Sequence, residues 1–375
     1  MDLLTHYILP FVIVLTILVF VHELGHYLVA RWNGVKVDVF SIGFGPELFG
    51  WTDKAQTRWK VSLLPLGGYV KMYGDANAAS TPDQAEMHKM SERDRALTLH
   101  GKTVWQRIAV SAAGPLANYL FAFLVFSFLF ATVGERYTPA EIGFIQEGSA
   151  AQKAGLLIGD RIVSVEDLPI QRFEDMQLII SENPGVPLSM TLMRGEDEVS
   201  LNVTPDTKEV KGLFGKKQEV GVLGIGRQGV EYIQRNPLEA VFYAAKECFT
   251  LTMQTLKSIG QMILGTRSAE ELGGPLRIAQ LAGEVAQAGL PTFLWFIGIL
   301  SVSLGFINLL PIPLLDGGHL LFYGIEVIRG GKPLSEKAQE KGFYIGFLIV
   351  GSLMIFSFWN DLVHLKVVEK IINLF

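Results

Sequence analysis

The apolar run from Tyr7 to Val21 leads straight into His22-Glu23-Leu24-Gly25-His26 and resumes as Tyr27-Leu28-Val29-Ala30. Ionisable groups therefore sit inside a segment long enough to cross a bilayer as a helix. Two histidines four apart on a helix lie about 40° apart around its axis, on one face. Both imidazoles can bind one zinc ion while the glutamate between them activates water. Charges at membrane depth are costly, and by default they mark function. Asp2, where a basic cluster would stand, and the length of the run argue against a cleaved secretory signal.

With 49% hydrophobic residues and 24 Phe among its 375 residues, the chain is too apolar for an ordinary soluble enzyme. Four segments are long enough to span a membrane: 7–30, about 109–133, about 291–312 and about 342–360. Arg31, Lys36, Lys102 and Arg107 flank the first connection, and Arg329, Lys332, Lys337 and Lys341 flank the last. Basic residues favour the cytoplasmic side, which puts both connections there and the acidic stretch 134–290 outside. Cys248 is the single cysteine, so neither an intrachain disulfide nor a cysteine-rich metal site is available. A net charge of −5 without a basic stripe argues against a nucleic-acid partner.

A catalytic zinc site needs three protein ligands and an open position, so the two histidines require a third group. The end of the third apolar segment offers one in Asn308-Leu309-Leu310-Pro311-Ile312-Pro313-Leu314-Leu315-Asp316-Gly317-Gly318-His319. Pro311 and Pro313 cannot both lie in a regular helix. The backbone must unwind there, which a membrane protein tolerates only where it is buried or lines a wet cavity. Asp316 on that broken segment is the candidate ligand, with His319 as its rival. Spans one and three run in the same direction, which puts Asp316 at the depth of the histidines.

These residues together resemble the site-2 protease family of intramembrane zinc metalloproteases, in its bacterial RseP-type branch. Ile42-Gly43-Phe44-Gly45-Pro46, Leu64-Pro65-Leu66-Gly67-Gly68-Tyr69-Val70 and Gly114-Pro115-Leu116-Ala117-Asn118 look like further motifs of that branch, in the same order. The resemblance covers nearly the whole chain. It implies Glu23 as catalytic base, His22, His26 and Asp316 as Zn2+ ligands, and Asn308 as a substrate-binding residue near the metal. It also implies substrate contacts at Gly43, Phe44, Gly45, Gly67, Gly68 and Tyr69.

The fold expected is a polytopic α-helical membrane protein with four transmembrane helices, a membrane-associated β-hairpin loop and an inserted PDZ (α+β) domain. Residues 1–133 would hold the first half of the protease core, with the β-loop at 35–73. An edge strand of that loop could capture an unwound substrate by strand addition. Residues 76–107 read as a solvated loop or short surface helix. Gly148 to Ile162 looks like part of a bacterial PDZ domain spanning 138–226, outside the cytoplasm, with Ile142, Gly143, Phe144 and Ile145 as its candidate peptide-carboxylate loop. Residues 237–289 would form amphipathic interfacial helices, too charged at Lys246, Glu247 and Lys257 to span. Residues 290–375 would complete the core.

The resemblance implies cleavage of transmembrane segments of single-span proteins already cut by another protease, such as anti-sigma factors or remnant signal peptides. The expected setting is a bacterial inner membrane, with the active site towards the cytoplasmic leaflet and the PDZ domain periplasmic. The sequence leaves the oligomeric state open. A membrane-anchored PDZ binding module without activity and a metal transporter are the alternatives. Aspartyl proteolysis is disfavoured, because no second membrane-depth aspartate is available to pair with Asp316.

Overall fold

The computed structural model describes residues 4–75, 89–211, 217–227, 229, 231–264, 268 and 272–364. Along the chain, a π-helical turn at Leu4–Ile8 leads into α1 (Leu9–Trp32), β1 (Val37–Thr52) and β2 (Arg58–Met72). Then come α2 (Glu92–Arg95), α3 (Val104–Thr132), β3 (Glu135–Tyr137), β4 (Ile142–Ile145), α4 (Ala150–Lys153), β5 (Arg161–Val165), β6 (Leu168–Pro169) and α5 (Phe173–Glu182). β7 (Leu188–Arg194), β8 (Asp197–Val203), β9 (Asp206–Lys211), β10 (Lys217–Val222), β11 (Ile225–Arg227) and β12 (Glu231–Ile233) follow. The chain closes with α6 (Pro237–Leu264), α7 (Pro275–Gln287), α8 (Leu290–Leu309), α9 (Asp316–Ile328) and α10 (Glu336–His364). Part of the expected polar loop, 76–88, lies outside the described residues.

Four helical stretches are long and apolar enough to cross a membrane: Leu4–Trp32, Val104–Thr132, Leu290–Leu309 and Glu336–Val363. They coincide with the four spans read from hydropathy. The chain divides into two compact units, one of residues 1–126, 245–252 and 272–375, the other of 127–244 and 253–271.

In the first unit, α1 and α3 approach so closely that side chains have no room at the contact. A Cβ on Gly25 would run into the Ala113 carbonyl and the Ala117 methyl, and one on Gly114 would run into the His26 ring. Small residues serve this purpose in lipid, where packing rather than water exclusion holds helices together. Elsewhere on α1, Val14 and Leu18 pack with Ala282 of α7 and Ile297 of α8. Asp361, on α10, accepts hydrogen bonds from the backbone N–H groups of Gly274 (2.8 Å), Leu276 (2.9 Å) and Arg277 (3.2 Å). It thus caps the N-terminus of α7 with the negative charge that end favours.

The β1–β2 hairpin is bent back on itself. Val39, Phe40, Ser41 and Ile42 each pair on both flanks, with Lys71, Val70, Tyr69 and Gly68 on one side and Arg58, Trp59, Lys60 and Val61 on the other. The bend falls at Gly43 (φ 88°) and Gly45 (φ 89°), a left-handed backbone that glycine adopts without cost. Asp53 pins the turn: it accepts from the N–H groups of Ala55 and Thr57 (both 2.9 Å), from Trp59 Nε1 (3.0 Å) and from the Tyr27 hydroxyl on α1 (3.1 Å). Burial pushes the Asp53 carboxyl up, but these donors outweigh it and hold it below the usual carboxylate range. Phe40, Val70 and Met72 bury against Ala30 and Val110.

The second unit carries the antiparallel sheet β6-β5-β7-β8, with β4 paired to β11, β3 to β12 and β9 to β10. Ile142, Ile162, Met176, Met190 and Leu192 form its core. β4, β5 and β7 fall on the strand-like stretches Ile142 to Gln146, Ile162 to Val165 and Leu188 to Met193 of the sequence, and α5 on the helical stretch Phe173 to Ser181. Asp160 is 1% exposed and takes two hydrogen bonds from Arg194, at 2.9 and 2.8 Å.

Candidate metal centre

α8 ends at Leu309 and α9 begins at Asp316, so the helix breaks across Pro311 and Pro313 as proline chemistry requires. Leu314 adopts φ 114°, a costly conformation for a branched side chain, two residues before α9 begins. A Cβ on Gly346 of α10 would overlap the Pro313 carbonyl, so the broken segment is held from behind by direct backbone contact.

This geometry delivers Asp316 to the histidines of α1. His22 Nε2 lies 3.2 Å from Asp316 Oδ2, and His26 Nε2 lies 3.3 Å from Asp316 Oδ1. The two Nε2 atoms are 3.2 Å apart. One donor atom from each of the three residues falls within 4.8 Å of the others. Two imidazoles and one carboxylate are a set zinc accepts, and three protein ligands leave the fourth position for water or substrate. The side chains fit the ion on their own geometry.

These residues line a cavity of about 190 Å3 together with Glu23, Asn308, His319 and Tyr323. His319 stands on its wall, outside the converging ligand set. Glu23 is joined by the backbone N–H of Val70, which ties α1 to β2. Gly68 sits against the same helix: a Cβ there would touch Val19 and come within 3.4 Å of Glu23 Cγ. Phe44 and Tyr69 stack with ring centroids 6.0 Å apart, and a Cβ on Gly67 would meet the Phe44 ring. Val70 and Met72 line the cavity, while Gly43, Phe44, Gly45, Gly67, Gly68 and Tyr69 belong to the sheet beside it. In the second unit, Ile142 to Ile145 form the strand β4, with Ile142 buried and Phe144 exposed. Ile142 exchanges backbone bonds with Gly159 and Asp160, and β4 pairs with β11.

Sequence reasoning missed the support behind the candidate ligands. His26 Nδ1 donates to the Val110 carbonyl at 2.8 Å. The Asn118 side chain lies 3.3 Å from His22 Nδ1. Gly114, Val110 and Asn118 belong to an apolar span where a glycine, a carbonyl and a lone amide carry no periodic signal.

The profile of peptidase family M50 matches residues 10–353. The chain belongs to that family of metalloproteases. It is 44% identical over 363 residues to the Agrobacterium fabrum protein named "Putative zinc metalloprotease Atu1380", covering 96% of each chain. It is 43% identical over 366 residues to "Putative zinc metalloprotease R01501" of Rhizobium meliloti, covering 96% of this chain and 98% of the relative. Metalloprotease MmpA of Caulobacter vibrioides is 35% identical over 385 residues, again covering 96% of each. The protein is a zinc metalloprotease, and zinc is its cofactor.

Proposed function

We propose that the protein cleaves peptide bonds within or beside the transmembrane segments of single-span membrane proteins already trimmed by another protease, in the manner of the RseP-type branch. The observation that carries this reading is the origin of the ligands. His22 and His26 lie inside the apolar helix Leu4–Trp32, and Asp316 follows directly on the apolar helix Leu290–Leu309.

When bound, zinc supplies a Lewis acid that polarises a carbonyl and lowers the pKa of water. Glu23 takes the proton of the attacking water and returns it to the leaving amine. Asn308, on the cavity wall, donates a hydrogen bond to the substrate backbone. A helical peptide bond is shielded by its own hydrogen bonds, so the substrate must unwind before attack. The outer flank of β2, running past Glu23 at Gly68 and Val70, offers backbone partners in exchange.

The second unit is read as a PDZ domain on the periplasmic face of a bacterial inner membrane, with the catalytic centre towards the cytoplasmic leaflet. α6 exposes Leu238, Phe242, Phe249, Met253 and Leu256, an apolar surface suited to lying in the bilayer interface.

Reconstitution into liposomes with a labelled single-span substrate tests the proposal. The expected products, mapped by mass spectrometry, begin within the substrate's apolar segment, and a zinc chelator abolishes them. Cleavage confined to soluble loops would overturn it.

A further inference from the structure

We infer that Asn118 is a positioning residue for His22, an inference that rests on the ligand set proposed above. His22 directs Nε2 at Asp316 (3.2 Å) and at His26 Nε2 (3.2 Å), so Nε2 is the atom whose lone pair faces a metal ion. A neutral imidazole carries its single proton on the other nitrogen. Nδ1 of His22 is therefore a donor in the metal-binding tautomer and needs an acceptor.

The group beside it is the Asn118 amide, whose Nδ2 stands 3.3 Å from Nδ1. An NH2 group and an N–H cannot satisfy each other. At the same time Asn118 is fully buried, and its Oδ1 has no hydrogen-bond partner. A half-turn about the Cβ–Cγ bond exchanges Oδ1 and Nδ2 and places the orphaned acceptor on the His22 donor. The rotation pairs the His22 donor with an acceptor and moves the amide NH2 to the position Oδ1 held. The backbone holds the residue in place for this, because the Asn118 carbonyl accepts from Ser301 Oγ of α8 at 2.8 Å.

His26 has the corresponding partner on the same helix, where the Val110 carbonyl accepts from its Nδ1 at 2.8 Å. α3 thus supplies an acceptor behind each ligand histidine. Such acceptors fix the tautomer and ring orientation and strengthen the metal-binding nitrogen. An amide does this without adding a second negative charge beside Asp316 at membrane depth.

The test uses the full chain in detergent, with zinc affinity read by chelator competition and ligand geometry by the visible spectrum after Co2+ substitution. Asn118→Leu is expected to weaken zinc binding roughly 10–100-fold and to shift the Co2+ bands. Asn118→Asp keeps an acceptor at the same place and is expected to bind zinc at least as tightly as the parent, which keeps the test decisive if the leucine variant folds poorly. Parent-like affinity in Asn118→Leu, or weakened binding in Asn118→Asp, would overturn the inference. His22→Ala is the control. Its loss of zinc alongside an unaffected Asn118→Leu would sink the Asn118 role alone, whereas parent-like zinc binding in His22→Ala would sink the ligand set and this inference with it.

Discussion

Arg107 and Glu326, 219 positions apart, meet in a two-pronged ion pair with nitrogen–oxygen distances of 3.0 and 2.6 Å. The side chains are 14% and 8% exposed, and the guanidinium lies 4.9 Å from the centre of the Tyr323 ring. The pair fastens the start of α3 to the end of α9, the helix whose first residue is Asp316.

Removing one partner leaves a buried charge unmatched. Glu326→Gln is expected to destabilise the protein by about 3 kcal/mol, read as a lowered thermal midpoint in detergent. The apolar double variant Arg107→Met with Glu326→Leu should recover most of the loss. Equal midpoints for parent and Glu326→Gln would show that the pair contributes nothing.

Glu23 faces the cavity but is absent from the converging ligand set. Glu23→Gln should therefore keep zinc at parent stoichiometry while cleavage falls by roughly a thousandfold or more. Metal analysis and product quantification on the same preparation check both halves. Substantial cleavage by this variant would assign the base elsewhere.

Gly114 is the point where α3 passes the His26 ring, and even a methyl group there collides with it. Gly114→Ala should displace the imidazole and weaken zinc binding at least tenfold, about 1.4 kcal/mol. Chelator competition measures this directly. By contrast Gly260→Ala, whose added methyl meets nothing within 4 Å, should leave affinity unchanged.

In the second unit, burial raises the Asp160 carboxyl but the Arg194 hydrogen bond and the Leu157 N–H outweigh it, so its folded pKa lies below the ordinary value. A carboxyl depressed by folding stabilises fully above its unfolded pKa of ~3.9 and loses that contribution as pH falls through the folded value. Hydrogen exchange at the amides of β5 and β7 should show protection declining below about pH 4. Asp160→Asn should remove this pH dependence and cost about 2 kcal/mol at neutral pH. An unchanged acid profile in that variant would place the sensitivity on another group.

The candidate cluster of His22, His26 and Asp316 was legible because zinc chemistry favours a fixed helical spacing, and because two prolines announce a broken helix beside Asp316. The four spans were legible because bilayer thickness sets a minimum apolar length. Alternation of apolar and polar residues in 35–73, as in Trp59-Lys60-Val61-Ser62-Leu63-Leu64, reads as strands and turns. It could not give the doubling back, in which Val39 to Ile42 pair on both sides, since that register depends on the Asp53 turn docking onto Tyr27. Gly25, Gly114 and Asn118 stand in motifs the sequence displays, but their packing roles were opaque for a different reason. Their value lies in what a neighbouring helix needs, and one sequence does not say which helices are neighbours.

Asp316 is synthesised long after the histidine pair it meets, and the broken segment before it packs against α10, later still. A partly made chain therefore contains a hydrolytic motif but no assembled blade.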